Sequence, residues 1–356
     1  QYTGGPIEGW TERRPWGSIV VGPPDAIAVS FDIECPRGEA GHQFLTQGQG
    51  MYSKTTRLWL VCVLFGFCVS GFGKGISAQE SNKKPKATQK SKRVGTPPPT
   101  KPPLEPVDAS QLPAGTERLD LYLLMGQSNM KGRGVMPEDP HRDPQIINMH
   151  LRDNRWYLAR HPLHLVGDAQ TFKGHDNAGV GPGLEFARKM IAANPEARIG
   201  LVPCAVGGSP MAQWVRDAKL YTRAIARAKQ ALGDGPIGST TIRGAIWLQG
   251  ETDARPGKIE VYPKLLSGMV DDLRSDLNIP ELPFVACTIG EMRANSEMQQ
   301  QMNRILLDLP NQQTKTACVD ARDLRTHIGD FVHFDTPAQE EMGRRYAELM
   351  LELQSD

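Results

Sequence analysis

The apolar run Leu121–Met125 constrains the fold of this chain more than any other stretch of its sequence. A continuous apolar run bounded by polar residues is typical of a strand buried on both faces, as in a parallel sheet covered by helices. The run ends at Gly126, and Ser128 follows two positions later. It thus lies beyond the carboxyl end of the predicted strand, where open α/β folds bind ligands. Ser128 is therefore a candidate functional residue, although from this stretch alone a helix-capping serine is the better interpretation.

Strand and helix patterns alternate from this run to the C-terminus. Four further apolar runs predict strands, within residues 199–205, 244–248, 283–289 and 316–319. Apolar residues recur at helical spacing between these runs, as from Trp214 to Leu232, whereas residues 131–179 show no sustained period. This alternation predicts an α/β fold, a three-layer α/β/α sandwich with a central parallel sheet of about five strands.

Composition argues against several classes of function. The 356 residues carry a net charge of +1, which gives no electrostatic reason to expect nucleic acid as a partner. Three cysteines follow residue 78, each in or beside an apolar run where a free cysteine acts as a small hydrophobe: Cys204, Cys287 and Cys318. Five histidines lie scattered between residues 131 and 179, and neither HExxH nor CxxC occurs. We therefore expect no metal site.

The first hundred residues predict a targeting segment and a linker. Met51 is followed by basic residues, by the apolar run Leu58–Val69 and by small residues before Gln79, which is the order of a secretory signal peptide. An internal strand or an uncleaved anchor is the alternative interpretation of the apolar run. The predicted organisation is a mis-annotated upstream extension, a signal peptide, a Lys/Pro-rich linker and a globular domain, at residues 1–50, 51–78, 79–110 and 111–356. We expect a secreted or periplasmic protein with no integral membrane span after signal cleavage.

A carboxylate and an imidazole occur close together near the C-terminus. Asp330 and His333 lie on a predicted loop, after which Thr336 and Gln339 are expected to form the capping box of the last helix. Across this turn the carboxylate can reach one ring nitrogen and leave the other free, which is the arrangement that activates a serine nucleophile. A lone His–Asp pair is usually structural, but its combination with Ser128 at a strand end favours serine-based catalysis.

Three segments, taken in order, resemble the SGNH-hydrolase superfamily, and more closely its sialate O-acetylesterase and carbohydrate esterase family 6 (acetyl xylan esterase) branch. They are Gly126–Met130, Trp247–Asp253 and the motif Asp330-x-x-His333-Phe334. The resemblance runs from about Leu119 to the C-terminus. It implies an SGNH-hydrolase, flavodoxin-like fold for the esterase domain at 111–356, and an activity that requires no cofactor or metal.

The resemblance also implies a role for each candidate residue. Ser128 would be the nucleophile, His333 its base and Asp330 the residue that orients His333. The implied oxyanion hole combines backbone N–H groups with one side-chain amide, from Ser128, from Gly207 or Gly208, and from Gln249. From the residues alone, a simple turn is the better interpretation of the two glycines after the second strand. Gln127 and Glu251 are expected to bind substrate.

The implied activity is that of a secreted serine esterase that removes O-acetyl groups from carbohydrate, acetylated xylan or a similar polysaccharide, through an acyl-enzyme on Ser128. A sialate O-acetylesterase, or a hydrolase of another small acyl ester, is the alternative among enzymes. A polysaccharide-binding module that kept the fold but lost the chemistry is the alternative from another class. The presence of Ser128, Asp330 and His333 together argues against the binding module, since a binder needs none of the three.

Overall fold

A single sheet lies at the centre of the computed structural model, which describes residues 103–107, 118–138, 142–235, 239–293 and 296–355. Its seven strands are β1 Arg118–Gly126, β2 Ile146–Met149, β3 Trp156–Leu158, β4 Ala197–Pro203, β5 Ser239–Leu248, β6 Phe284–Cys287 and β7 Thr316–Val319. They stand in the order β3-β2-β4-β1-β5-β6-β7, and every neighbouring pair is parallel except β2 and β3.

Helices cover both faces of this sheet. Among the described residues they are α1 Ser128–Lys131, α2 Gly183–Ala193, α3 Lys219–Gly233, α4 Tyr262–Leu277, α5 Glu297–Leu307, α6 Leu309–Gln312 and α7 Thr336–Ser355. Strand β1 sends Leu121 and Leu123 into the core beneath α3 and α4, and Tyr122 and Leu124 into the core beneath α2 and α7. Each fully buried side chain of this size stabilises the fold by about 1.5–3 kcal/mol. The predicted three-layer sandwich is therefore confirmed.

The sheet is larger than the sequence predicted, by two strands. Both β2 and β3 come from residues 131–179, which were expected to be irregular. They are four and three residues long, too short to show a period in the sequence. The expected helix from Trp214 is also shorter than predicted, because α3 begins only at Lys219. Trp214 follows a 3₁₀ turn at Met211–Gln213, and its ring is fully buried in the core.

The start of α7 differs from the expected capping box. The N–H of Ala338 donates to Asp335 Oδ1 at 3.1 Å, so Asp335 supplies the cap. Thr336 donates its hydroxyl to the Val135 carbonyl at 2.9 Å, and the Gln339 amide donates to the Asn129 carbonyl at 3.1 Å. The predicted box is wrong because both side chains are used in tertiary contacts, which tie α7 to the segment that follows Ser128.

Residues 103–107, assigned by the sequence to the linker, lie along the edge of the sheet. The N–H of Leu158 donates to the Glu105 carbonyl at 2.9 Å, and Leu104 is buried. The predicted upstream extension, signal peptide and remaining linker lie outside the described residues. No helix in the described ranges is both long and apolar enough to span a bilayer.

Candidate active site

The turn after the central strand β1 places Ser128 at the carboxyl ends of the parallel strands. Gly126 has φ of +126°, and a Cβ at this position would lie 2.1 Å from the Leu248 carbonyl oxygen, so only glycine fits. The next N–H, that of Gln127, donates to the same carbonyl at 2.9 Å, and the Gly126 carbonyl accepts the N–H of Val206 at 3.0 Å. The ends of β1, β4 and β5 are thereby tied together around Ser128.

Ser128, His333 and Asp330 form a continuous chain of hydrogen bonds. Ser128 Oγ lies 2.9 Å from His333 Nε2, and His333 Nδ1 lies 2.5 Å from Asp330 Oδ2. The other carboxylate oxygen of Asp330 accepts the backbone N–H groups of Val332 and His333, each at 2.9 Å. The three residues predicted to act together are thus brought together, although Ser128 stands 205 positions before His333.

The charge on Asp330 defines the role of each ring nitrogen of His333. Partial burial acts to raise the pKa of Asp330, but the backbone N–H and ring of His333 and the N–H of Val332 outweigh it and lower the pKa to about 2. The carboxylate is therefore ionised at neutral pH and accepts a hydrogen bond from the Nδ1–H group. Nε2 is left with its lone pair directed at the Ser128 hydroxyl, so the arrangement can remove the proton from that hydroxyl.

Asn129 holds the loop that carries His333, a role that the sequence did not suggest. Its fully buried side chain accepts the N–H of Phe334 at 3.2 Å and donates to the Val332 carbonyl at 3.1 Å. The same amide donates to Glu251 Oε1 at 2.6 Å. Both neighbours of His333 are thus tied to the residue after Ser128, which fixes the distance between base and hydroxyl.

The two residues expected to bind substrate are both tied into the protein. Glu251 accepts the Asn129 amide, and burial raises the pKa of the Glu251 carboxyl. Gln127 is buried, and its side-chain carbonyl accepts the Gln249 amide at 3.3 Å. In this structure both side chains hydrogen-bond to other residues of the site, Glu251 to Asn129 and Gln127 to Gln249. Their contact with substrate stays a prediction.

Gly207 lies closer to Ser128 than Gly208 does. A Cβ built on Gly207 would be 3.7 Å from Ser128 Cβ, whereas one on Gly208 would have no atom within 4 Å. Among the described residues, neither the Gly207 N–H nor the Ser128 N–H has a hydrogen-bond acceptor. Of the two candidate glycines, the geometry favours Gly207 as an oxyanion donor.

The Gln249 amide is fully engaged within the protein. Its nitrogen lies 2.6 Å from Asp253 Oδ2, 3.1 Å from the Ser209 carbonyl oxygen and 3.3 Å from Gln127 Oε1. Two N–H groups already face three acceptors, so an oxyanion would have to displace one of them. The bond to Ser209 holds the loop that contains Gly207, and this gives Gln249 a positioning role.

The histidines that the structure describes between residues 142 and 179 form no metal site. Within the described parts of the chain, no group of three or more His, Cys, Asp or Glu side chains could hold a metal ion. His161 and His164 are buried separately, and burial lowers the pKa of each to about 3. At neutral pH both are therefore uncharged.

Comparison with known proteins gives matches over the described domain. Residues 118–352 match a family model described as carbohydrate esterase, sialic acid-specific acetylesterase. A probable carbohydrate esterase of Arabidopsis thaliana is 32% identical over 248 residues, which are 65% of this chain and 90% of that protein.

Solved structures also match this domain. The structure of an Arabidopsis thaliana protein, 30% identical, covers 67% of this chain and 98% of its own, with a TM-score of 0.56. The crystal structure of NanS, 19% identical, covers 68% of this chain and 99% of its own, with a TM-score of 0.53. At that identity the second likeness concerns the fold alone.

Proposed function

Since the chain belongs to the sialic acid-specific acetylesterase family of carbohydrate esterases, we propose that it removes O-acetyl groups from carbohydrate through an acyl-enzyme on Ser128. Membership makes the protein a carboxylic ester hydrolase. The observation that carries the proposed mechanism is the chain from Ser128 Oγ through His333 to Asp330, with distances of 2.9 and 2.5 Å. A binding module would have no use for this alignment.

The proposed reaction has two matched halves. His333 Nε2 takes the Ser128 proton as Oγ attacks the acetyl carbonyl, and Asp330 stabilises the imidazolium that forms. The proton then passes from Nε2 to the departing sugar oxygen, which leaves as an alcohol. Water repeats the sequence on the acetyl-serine ester and releases acetate. Asn129 supports both halves, because its bonds on either side of His333 keep Nε2 facing the reacting oxygen.

The N–H groups of Ser128 and Gly207 are the donors that we propose for the oxyanion. Neither N–H donates to a backbone carbonyl among the described residues, and a Cβ built on Gly207 would lie 3.7 Å from Ser128 Cβ. Backbone donors fixed before the reaction cost no reorganisation, and loss of one such donor typically costs about 2.7–4 kcal/mol of barrier. Gln249 contributes by holding the Ser209 carbonyl and thereby the position of Gly207.

A carbohydrate substrate is supported by an aromatic side chain on the catalytic loop. Phe331 lies between Asp330 and His333, and its side chain is 53% exposed in the structure. Its backbone has φ of +60°, an uncommon conformation for a bulky residue that is often retained at functional sites. The ring packs against that of His327, with centroids 4.3 Å apart, and the exposed part of it offers an apolar surface, on the loop that carries His333, on which a pyranose can lie.

Release of acetate from acetylated sugars tests the proposal directly. Wild type should deacetylate O-acetylated sialic acid or acetylated xylan oligosaccharides, and Ser128→Ala should lose nearly all activity while it stays folded. Ser267→Ala is the matched control, because it removes a hydroxyl that has no hydrogen-bond partner among the described residues. Full activity of Ser128→Ala would exclude the serine mechanism, and failure of wild type on every acetylated sugar would exclude the substrate class.

Export through a signal peptide at residues 51–78 is a separate proposal. It rests on the basic, apolar and small-residue order after Met51. Expression from Met51 in a secreting bacterial host should yield an extracytoplasmic protein whose N-terminus lies near Gln79. Recovery of the protein in the cytoplasm with an intact Met51 would contradict this proposal without affecting the enzymatic one.

A further inference from the structure

A cavity of about 580 Å³ lies between the segment after α1, helix α2 and the start of α7. None of Ser128, His333 and Asp330 lines it, so it is separate from the proposed catalytic site. Its volume falls within the range of about 300–1,000 Å³ that is typical of small-molecule sites. Most of its lining residues are apolar: Val135, Met136, Pro137, Val180, Leu184 and Pro337.

Hydrogen bonds between the walls of this cavity hold it in shape. Thr336 donates its hydroxyl to the Val135 carbonyl at 2.9 Å, which joins the start of α7 to the segment after α1. The N–H of Gly134 donates to the Val180 carbonyl at 3.0 Å, and the N–H of Val180 donates back to the Gly134 carbonyl at 2.9 Å. Because these walls are already ordered, a ligand that enters the cavity binds at little cost in conformational entropy.

His161 lines the cavity with a hydrogen-bonding group that the described part of the protein leaves unused. The residue is only 7% exposed. Neither ring nitrogen has a hydrogen-bond partner among the described residues: Nδ1 is fully enclosed, whereas Nε2 keeps some accessible surface. Since most buried polar groups in proteins are hydrogen-bonded, this ring needs an explanation. A ligand in the cavity would supply the missing partner of Nε2.

The charges around the cavity favour an uncharged ligand. Burial, and then the nearby charge of Arg188, lower the pKa of His161 to about 3, so the ring is neutral at pH 7. Arg188 is paired with Glu185, yet its charge acts on His161 and would also repel a ligand cation bound there. Glu138 and Glu340 line the cavity without an ion-pair partner among the described residues, and they would repel an anion.

We infer that this cavity is a second binding site, for an uncharged ring compound whose hydroxyl group hydrogen-bonds to His161 Nε2. The apolar walls accommodate the ring. A hydroxyl both donates and accepts, so it can pair with Nε2 in either tautomer of the neutral imidazole. Two sources share this chemistry, namely the part of a substrate that lies beyond its acetylated sugar and a separate small molecule. The inference goes beyond the proposed function and does not depend on it.

The experiment compares the binding of 4-methylphenol with that of toluene, by NMR titration of the backbone amide signals of the protein. The two probes have the same uncharged ring, but only 4-methylphenol carries a hydroxyl. Wild type should bind 4-methylphenol saturably, with a Kd on the order of 1 mM and with the largest shifts at residues that line the cavity. It should bind toluene about threefold to tenfold more weakly, which is the contribution of one neutral hydrogen bond.

Two variants test the assignment to this cavity. In His161→Phe the two probes should bind with a Kd ratio of about one, because a ring remains while its nitrogens are lost. Val135→Asp places a charge on an apolar wall, at a residue that is 75% exposed, and should weaken both probes about tenfold or more. It serves if His161→Phe does not fold. Val261→Asp is the control, since Val261 is 49% exposed and does not line the cavity, and both affinities should stay at the wild-type value.

Kinetics with two acetylated glycosides of one sugar identify the source of the ligand. If the cavity holds part of the substrate, a 4-hydroxyphenyl glycoside should have a lower KM than the methyl glycoside, and Val135→Asp should remove this advantage. Equal KM values, together with binding of 4-methylphenol that saturating methyl glycoside does not change, would identify a separate small molecule.

Several outcomes would overturn the inference. They are an absence of saturable 4-methylphenol binding, equal affinities of the two probes for wild type, an unchanged Kd ratio in His161→Phe, or undiminished binding in Val135→Asp. The titrations require no turnover. If wild type hydrolyses no acetylated sugar, the proposed function fails, and these titrations still decide whether the cavity is a binding site.

Discussion

Replacement of Asn129 by alanine should damage catalysis without touching any atom of the Ser128–His333–Asp330 chain. The substitution removes three hydrogen bonds, to the N–H of Phe334, to the Val332 carbonyl and to Glu251. The first two flank His333, and the third leaves a carboxyl group without its amide donor. We therefore expect a looser catalytic loop in a protein that still folds.

The size of the effect follows from these three bonds. Each neutral bond contributes about 1 kcal/mol, and a bond to a charged group about 1.5–3 kcal/mol, so the free energy of unfolding should fall by about 3–5 kcal/mol. For a domain of this size the melting temperature should fall by on the order of 10 °C. Displacement of His333 Nε2 by about 1 Å should lower kcat about 10²-fold.

Asn303→Ala is a matched control for this prediction. Asn303 is equally buried and also makes three bonds, to the N–H and carbonyl of Ile289 and to Glu291. None of these partners belongs to the triad or to its loop. Urea unfolding should therefore show similar losses in both variants, while kcat, measured well below both melting temperatures, should fall only in Asn129→Ala. Equal kcat in the two variants would refute the positioning role of Asn129.

Three further predictions follow from the site and its surroundings. The pKa of His161 and of His164 is about 3 in the folded chain and about 6.5 when unfolded, so the unfolded state binds more protons between these values. The free energy of unfolding should therefore be highest above pH 6.5 and should decrease as the pH is lowered, by about 2 kcal/mol per histidine at pH 5. A urea midpoint that stays constant from pH 7 to pH 5 would contradict this. Asp330→Asn should lower kcat by up to about 10⁴-fold, since the amide no longer holds the His333 tautomer, and near-normal turnover would show that another group orients the base. Gln249→Ala should lower kcat and the melting temperature together; loss of thermal stability alone, with normal kcat, would leave Gln249 a purely structural role.

Local patterns predicted the layers of the fold and selected the three residues of the proposed triad, which the structure places within hydrogen-bond distance of one another. The run Leu121–Met125 is buried in β1 as expected, because a strand covered on both faces needs apolar residues at every position. Ser128, Asp330 and His333 could be selected because their chemistry is carried by residue type and by short spacings. Each of these signals lies within a few neighbouring residues.

The remaining features depend on contacts between distant parts of the chain. Asn129 lies within a recognised motif, yet its role requires Val332, 203 positions away, to be its neighbour. Thr336 has the side chain of an N-cap but donates to Val135 instead, 201 positions away. No local pattern carries such information.

The most direct test of the account is to locate the acetyl group during turnover. With 4-nitrophenyl acetate the leaving group is good, so acylation should outpace hydrolysis and acetyl-enzyme should accumulate in the first turnover. Acid quenching at that time, followed by peptide mass spectrometry, should find one acetyl group on Ser128 and none in Ser128→Ala. An acetyl group on another residue, or rapid turnover of Ser128→Ala with no acetylated peptide, would contradict the proposed mechanism.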